Sequence, residues 1–325
     1  MSAVSILFIH GLREHIARHI ASFTPRGFYT KILKGDTPIA EQIEAAKSAD
    51  YLIVYAAPLA DEVLRAALRT RLVQLLAAGY DRMNLPLMRE LDIPCANNGG
   101  ANSRAVADQA VLLMLALYRR LLVAVESTRV GTWSLPIDGE NTFEMAGKLV
   151  GILGMGNIGA QVARRLQGFD AVVQYHDPNR LSVERERELQ ATAVSLEELF
   201  RTSDIVTCHA PLTPGTRHIV NAERLSLMKP TSILINTSRG ALVDEAALID
   251  ALQRGEIAGA GLDVFEEEPL TPDNALLRMD HVVATPHSAG TTWDTWSRRA
   301  EFAYANIERV HGGESPLAVA VEFPG

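Results

Sequence analysis

The segment Gly154-Met155-Gly156-Asn157-Ile158-Gly159 has the glycine spacing of a dinucleotide-binding loop. An apolar strand pattern at 148–153 precedes it, a helical pattern follows it, and the next strand pattern ends in Asp177, eighteen residues after Gly159. In such a loop the first glycine permits a tight turn and the second lets a pyrophosphate approach the backbone. The third lets the helix pack on the sheet, and the helix N-terminus presents free amide groups to the phosphates. A tight turn without a ligand is the alternative, but it does not require an acid at the strand end.

Asp177 also bears on the choice of cofactor. A carboxylate at this position accepts hydrogen bonds from ribose hydroxyls and repels a 2′-phosphate, so NAD is favoured over NADP. Arg180 is the one nearby feature that favours NADP, and a solvated position is the simpler interpretation of it.

Three polar side chains follow three successive apolar strand patterns: Arg239 after 232–237, Glu268 after 259–264 and His287 after 281–286. Ligands of open parallel sheets bind at the carboxyl ends of the strands, so we expect the three to converge. Arginine can bind a carboxylate, histidine can transfer the proton that accompanies a hydride, and a carboxylate can orient the imidazole. Each residue alone has an ordinary explanation as a surface or loop residue. Together they predict a dehydrogenase site.

Composition excludes several other classes. The chain has 325 residues, 31 Lys and Arg against 39 Asp and Glu, and no basic cluster, so nucleic acid is not expected as a partner. Apolar runs such as 111–118 are too short to span a bilayer, and 5–9 is too short for a signal-peptide core. Cys95 and Cys208 form no CxxC pair, and His15 and His19 have no third ligand, so we expect a cytoplasmic protein without a metal.

The elements that must position these residues form two α/β units. Strand patterns of the first unit lie at 5–9, 28–33, 51–55, 72–76 and 93–97. One long, densely apolar helix is predicted from Asn102 to Thr128, and a second strand series begins at 148–153. Helices are also predicted at 195–200, behind a Ser195–Glu198 capping box, and at 244–254 and 291–310. Strands that alternate with helices predict parallel sheets in both units.

With these residues in place, the chain resembles the D-isomer-specific 2-hydroxyacid dehydrogenase family nearly from end to end. The segments that carry the resemblance are AAGYDRMNL (77–85), IPCANNGGANSRAVAD (93–108), GKLVGILGMGNIG (147–159), HAPLTPGTRHIVN (209–221), MKPTSILINTSRGALVDEAALIDAL (228–252), GAGLDVFEEEPL (259–270) and TPHSAG (285–290).

The resemblance implies roles for particular residues. Arg239 matches the substrate-carboxylate arginine, Glu268 the glutamate that pairs with histidine, and His287 the general acid/base. Asp263 matches the aspartate that contacts the nicotinamide carboxamide, and Ala78 and Gly79 match a loop whose amides hold the substrate carboxylate. The remaining cofactor positions implied are Gly154, Gly156, Asn157, Ile158, Gly159, Asp177, His209, Ala210, Pro211, Thr216, Thr237, Ser238 and Gly290.

The implied fold has two Rossmann-like or flavodoxin-like parallel-sheet domains with the active site in the cleft between them. A substrate domain would comprise 1–100 and 290–325, and an NAD-binding domain 101–289, with crossings at Gly99-Gly100 and Ala289-Gly290. The chain departs from the family pattern at Gly99, where proline is common, at Tyr80 and at Asp108, where glutamate is usual. None of these departures alters the Arg239, Glu268 and His287 set.

The resemblance also limits the substrate. Phosphoglycerate members are expected to carry cationic groups in the loop after the third strand, and here that loop, VYAAPLAD (54–61), has none. We therefore expect a small unphosphorylated 2-keto or 2-hydroxy acid such as glyoxylate, hydroxypyruvate or pyruvate, with D-3-phosphoglycerate dehydrogenase as the alternative. A further alternative is an NAD-sensing binding protein of the corepressor type, with no metabolic role. The long apolar helix and Trp133 imply a homodimer with an isologous interface.

Overall fold

The computed structural model describes residues 4–133 and 139–320, which form two compact units. One unit contains the described residues up to Asn102 together with those from Thr291 onward. The other runs continuously from Ser103 to Gly290. No helix in the described ranges is long and apolar enough to cross a membrane.

The first unit is built on a five-stranded parallel sheet in the order β2-β1-β3-β4-β5. Its strands are β1 (Val4–His10), β2 (Phe28–Lys34), β3 (Tyr51–Tyr55), β4 (Val73–Leu75) and β5 (Cys95–Ala96). Its helices are α1 (Glu14–Ala21), α2 (Ile39–Ala46), α3 (Asp61–Ala66), α4 (Leu85–Glu90) and, from the C-terminal part of the chain, α12 (Trp293–His311).

Alternation along β1 explains why this sheet is covered on both faces. Ile6 and Phe8 pack with the buried residues of α1 and α12, whereas Leu7 and Ile9 pack with those of α2 and α3. Successive side chains of a strand point to opposite faces, so a fully apolar strand needs a helical layer on each side. The strand predicted at 5–9 is confirmed, and it is buried on both sides.

The second unit has a seven-stranded parallel sheet in the order β12-β11-β10-β9-β6-β7-β8. Its strands are β6 (Leu149–Leu153), β7 (Val172–His176), β8 (Ala191–Ala193), β9 (Ile205–Cys208), β10 (Ile233–Asn236), β11 (Gly259–Leu262) and β12 (Val282–Ala284). Its helices are α5 (Ser103–Tyr118), α6 (Leu121–Arg129), α7 (Asn157–Gln167), α8 (Val183–Leu189), α9 (Leu196–Thr202), α10 (Ala222–Leu227) and α11 (Glu245–Gln253), with 3₁₀ turns at Gly240–Leu242 and Ala275–Arg278. The sequence did not predict β8, because three residues at a sheet edge carry too short a pattern.

The prediction of one helix from Asn102 to Thr128 was wrong. The chain forms α5 and α6, separated at Arg120, whose φ of +46° is left-handed. The Tyr118 carbonyl accepts a hydrogen bond from the Phe143 amide at 2.9 Å, so it is engaged outside the helix. A left-handed residue cannot continue a right-handed helix, and the hydrophobic pattern alone does not reveal such a turn.

Close packing holds α5 on the sheet. A Cβ at Gly261 of β11 would lie 2.9 Å from Leu113 Cβ of α5, so glycine lets the helix approach the strand. Asp108 of α5, where the family usually has glutamate, forms an ion pair with Arg165 of α7. This helix therefore packs on β10, β11 and β12 and on α7.

The glycine pair that precedes the second unit requires glycine on conformational grounds. Gly99 and Gly100 have φ values of +57° and +84°. A Cβ at Gly99 would also lie 2.3 Å from the Phe302 ring. Residues with a Cβ rarely adopt this backbone conformation, so the pair fixes the local path of the chain.

Candidate active site

The glycine-rich loop connects β6 to α7. Gly154 has a φ of +94°, and a Cβ there would lie 2.6 Å from Ala210 N. A Cβ at Gly159 would lie 2.2 Å from Gly154 O, so this glycine lets α7 start against the strand. A Cβ at Gly156, by contrast, would meet nothing within 4 Å.

Gly156 thus borders open space directly before α7, whose first amide groups have no acceptor within the helix. Asn157 opens the helix and Ile158 packs on the core behind it. A pyrophosphate fits this position, because the site offers backbone donors, the positive end of a helix dipole and no side-chain obstruction.

Asp177 follows β7, the strand beside β6. Its carboxylate accepts hydrogen bonds from Met155 N and Asn179 N, both at 2.8 Å. These bonds anchor the carboxylate at the glycine loop, where it can meet a ribose. The guanidinium of Arg180 is exposed to solvent and forms an ion pair with Glu186.

His209 follows β9 and is buried. Its Nε2 lies 2.8 Å from Thr207 Oγ1, and burial lowers the pKa of the imidazole to about 3. Within the described part of the chain, the buried Nδ1 has no hydrogen-bond partner, and neither has Thr237 Oγ1. Buried polar atoms are normally paired, so these two atoms are consistent with a ligand that completes their bonding.

Asn236, which sequence reasoning missed, shapes the loop of Arg239. Its side-chain amide donates to Arg239 O at 2.8 Å and accepts from Ser238 N at 3.1 Å. Ser238 Oγ in turn donates to Ala210 O at 2.6 Å, which ties this loop to the one after β9. The polar residue at the end of the apolar run SILIN was the available sequence feature.

His287 and Glu268 form the predicted pair. His287 Nδ1 lies 2.7 Å from Glu268 Oε2, and Glu268 Oε1 accepts from Phe265 N at 3.1 Å. The imidazole is about half exposed and the carboxylate is less so. Because Nδ1 faces the carboxylate, Nε2 is the ring nitrogen that can reach a substrate.

Asp263 holds the backbone around His287. Its fully buried carboxylate accepts from Thr285 Oγ1 at 2.6 Å, Ser288 N at 3.0 Å and Ala289 N at 2.8 Å, and its carbonyl accepts from His287 N at 2.8 Å. These bonds keep His287 at its left-handed φ of +50°. Its expected nicotinamide contact stays a prediction, and the bonds shown are to the histidine loop.

Thr285 also accepts a hydrogen bond from Gln109 Nε2 of α5 at 3.2 Å. Neither Thr285 nor Gln109 stood out in the sequence, because their contact spans 176 positions.

The structure distributes the other predicted residues as follows. Arg239, Glu268 and His287 follow the adjacent strands β10, β11 and β12 of the second unit. Pro211 and Thr216 form an exposed turn in that unit, closed by a 2.6 Å bond from Thr216 Oγ1 to Pro211 O, and Gly290 ends the unit. Ala78 and Gly79 lie in the first unit, after β4, where Ala78 O accepts from Asn97 Nδ2 at 3.1 Å.

His19 of α1, which the sequence offered with His15 as a possible metal ligand, has other contacts. His19 stacks on Trp293 with ring centroids 4.9 Å apart and bonds Ser297 Oγ through Nε2. Across residues 4–133 and 139–320, no group of three His, Cys, Asp or Glu side chains could hold a metal ion.

A parallel sheet with this glycine loop, an acid after the second strand and an arginine and a His–Glu pair after neighbouring strands is the arrangement of a nucleotide-dependent dehydrogenase. Residues 111–289 match the family model described as "D-isomer specific 2-hydroxyacid dehydrogenase, NAD binding domain".

Similar sequences and structures agree with this match. Glyoxylate reductases of Korarchaeum cryptofilum and Aeropyrum pernix are each 40% identical, over 89% and 86% of this chain and 88% and 85% of theirs. A Thermus thermophilus structure is 33% identical with a TM-score of 0.83, covering 98% of this chain and all of the other. Apo D-mandelate dehydrogenase of Rhodotorula graminis is 26% identical with a TM-score of 0.85 over 99% of each chain.

The chain therefore belongs to the D-isomer-specific 2-hydroxyacid dehydrogenase family. It is an NAD-dependent oxidoreductase that interconverts a 2-keto acid and a D-2-hydroxy acid. The predicted pair of parallel-sheet α/β domains, the reaction class and the cofactor are confirmed.

Proposed function

We propose that the chain reduces a small unphosphorylated 2-keto acid of the glyoxylate and hydroxypyruvate type, with Arg239, Glu268 and His287 as its catalytic residues. The 2.7 Å contact between His287 Nδ1 and Glu268 Oε2 carries this proposal, because it provides an oriented proton donor next to the arginine loop.

Each residue has a separate part in the reduction. The bound nicotinamide supplies the hydride. The protonated His287 donates a proton from Nε2 to the carbonyl oxygen as that oxygen gains negative charge. Glu268 stabilises the imidazolium before transfer, and Arg239 binds the substrate carboxylate and stabilises the developing charge.

Two loops of the first unit support the choice of substrate. The loop that follows β3 contains no Lys or Arg between Val54 and Asp61, so a phosphate has no counter-charge in that loop. Tyr80, beside Ala78 and Gly79, packs partly on the core of the first unit. The similarity to two glyoxylate reductases at 40% identity favours the smallest 2-keto acid.

Initial rates with NADH test the substrate proposal. Glyoxylate, hydroxypyruvate and pyruvate should be reduced, whereas a phosphorylated hydroxypyruvate should not compete with them. The glycerate formed from hydroxypyruvate should be the D isomer. A higher kcat/KM for the phosphorylated acid would contradict the proposal and favour the phosphoglycerate alternative.

We propose the same domain division that the resemblance implies, with 1–100 and 290–325 as the substrate domain. The two compact units support it, since they divide the chain near the same positions. Ala78 and Gly79 of the first unit are proposed to bind the substrate carboxylate through their amides.

We also propose a homodimer formed through α5, α6 and the segment that follows them. Several large apolar side chains on these elements are exposed, which supports the proposal because exposed apolar surface favours association. They are Leu112, Leu121, Leu122, Val125, Val130 and Trp133. Light scattering should give twice 35.4 kDa, and a monomeric mass at micromolar concentration would refute it.

We place the enzyme in the cytoplasm. Cys95 and Cys208 are both buried and form no disulfide, which suits a reducing compartment. Fractionation of the source cells with an activity assay would test this placement.

A further inference from the structure

The acidic segment Glu266–Glu268 provides carboxylates to two different histidines. Glu268 pairs with His287, as described above, and Glu266 Oε1 forms a close hydrogen bond with His218 Nε2. His218 lies in the loop between β9 and α10, and nothing in the proposed mechanism uses it. Two His–Glu pairs therefore share one three-residue segment.

The backbone of His218 is bonded to the segment that follows Arg239. His218 N donates to Ala241 O at 2.9 Å, and Val220 N donates to Leu242 O at 2.9 Å. Asp244 N donates back to Val220 O at 2.9 Å. His218 has a left-handed φ of +52°, a conformation that persists only where the surroundings hold it.

The segment that follows Arg239 is also in direct contact with the segment that precedes Glu268. A Cβ at Gly240 would lie 1.9 Å from the carbonyl carbon of Phe265 and 2.5 Å from Glu266 N. The segment after Arg239 thus packs backbone against backbone on the segment before Glu268. A shift of one segment must move the other.

The position of Glu266 depends on its contact with His218, because other carboxylates lie near it. Glu245 Oε2 accepts from Glu266 N at 3.2 Å, which places a second carboxylate beside the acidic segment. The other charged groups nearby in sequence are Asp244 at the start of α11, Arg217 beside His218, and Glu267 and Glu268 beside Glu266. Without its imidazole partner, Glu266 would face repulsion from like charges.

We propose that His218 is a positioning residue for the reaction. It holds Glu266 with its side chain and the Gly240–Leu242 turn with its backbone, and so fixes the Glu268 carboxylate relative to Arg239. This inference rests on the proposed roles of Glu268 and His287.

The test compares His218→Ala, His218→Gln and Glu268→Gln under steady-state conditions. His218→Ala should lower kcat about 10-fold, since small misplacements of catalytic groups have effects of this size or larger. The affinity for NADH, measured by fluorescence, should not change. The pH above which reduction declines should move lower, in the same direction as in Glu268→Gln, because the imidazolium of His287 is less well stabilised.

The conservative variant separates positioning from general destabilisation. In His218→Gln the new side-chain amide would place a donor near the former Nε2, so this variant should recover most of the lost kcat and the original pH profile. The double variant His218→Ala with Glu268→Gln should be no slower than Glu268→Gln alone, since both changes act on one pair. Arg254→Gln, which removes the exposed Arg254–Glu256 pair of the same unit, should leave all these values unchanged.

The possible results distinguish this inference from the proposed function. If Glu268→Gln is impaired but His218→Ala keeps the kcat and pH profile of the parent enzyme, His218 is not a positioning residue. A lower melting temperature with an unchanged kcat and pH profile of the folded enzyme would also overturn the inference. If Glu268→Gln itself has no effect, the His287–Glu268 assignment fails first.

Discussion

The first β–α connections of the two units differ sharply, although both follow a central strand of a parallel sheet. In the first unit, Gly11 follows β1, and a Cβ there would lie 2.2 Å from Ala56 O. The helix α1 then begins with Glu14, an acidic residue in its first turn. In the second unit, Gly156 faces open space and α7 has no acid in its first turn.

The comparison shows that a parallel α/β sheet does not by itself create a nucleotide site. The connection after β1 is filled by the neighbouring loop at Ala56, and an acid begins the helix that follows. The connection after β6 leaves space for a pyrophosphate, and the N-terminus of α7 presents the positive end of its helix dipole there. Function depends on what occupies the helix N-terminus rather than on the strand order.

The largest expected effect concerns the catalytic residue after β12. His287→Ala should lower kcat roughly 10²- to 10⁴-fold, the usual contribution of positioned acid–base catalysis, with NADH binding retained. His281→Ala is the matched control, because this histidine precedes the same strand at its amino end. Stopped-flow and steady-state rates would measure both, and equal loss in the two variants would contradict the role of His287.

The next prediction tests the connection after β6 against the connection after β1. Gly156→Val should weaken NADH binding on the order of 10-fold or more, because the new side chain would displace charge-assisted backbone bonds to the phosphates. Gly156 has a negative φ of −75°, so valine can adopt this backbone conformation without strain.

Gly11→Ala in the first unit is the counterpart. It should destabilise the fold by about 1–3 kcal/mol through the overlap with Ala56 O and leave NADH affinity unchanged. Fluorescence titration and urea unfolding would separate the two outcomes. Loss of NADH affinity in Gly11→Ala would break the comparison.

A smaller effect concerns the choice of cofactor. Asp177→Ala should narrow the preference for NADH over NADPH by weakening NADH binding and removing the repulsion of a 2′-phosphate. Asp177→Asn keeps one acceptor oxygen, so it can retain only one of the bonds from Met155 N and Asn179 N. It should therefore disturb the loop less than Asp177→Ala does while it removes the charge. Titration of both cofactors measures the ratio, and equal affinities in the unmodified enzyme would contradict the assignment of Asp177.

Sequence patterns predicted the sheets and the strand-end residues, because apolar runs and glycine spacing are local. The left-handed turn at Arg120 was missed, since it depends on a hydrogen bond from Phe143 rather than on local pattern. The pairing of His218 with Glu266 was also missed, because the partners are 48 positions apart. A run of three acids is by itself typical of a solvated loop, and only the fold gives Glu266 a partner.

The smallest effect compares two buried histidines, one in each unit. Burial lowers the pKa of His209 to about 3, whereas an unfolded chain has a histidine pKa near 6.5. Below about pH 6.5 the unfolded chain binds a proton that the folded chain does not, so the free energy of unfolding falls as the pH falls. Above that pH the stabilisation from the neutral His209 is fully present. By pH 5 the loss should approach about 2 kcal/mol, and His209→Gln should remove it.

Burial also lowers the pKa of His10 at the end of β1, so His10→Gln should flatten the pH dependence in the same direction. Because the two units can unfold separately, urea transitions at pH 5 and pH 7 should be followed with probes in each unit. A transition of the second unit that stays equally pH-dependent in His209→Gln would show that His209 is not the group responsible.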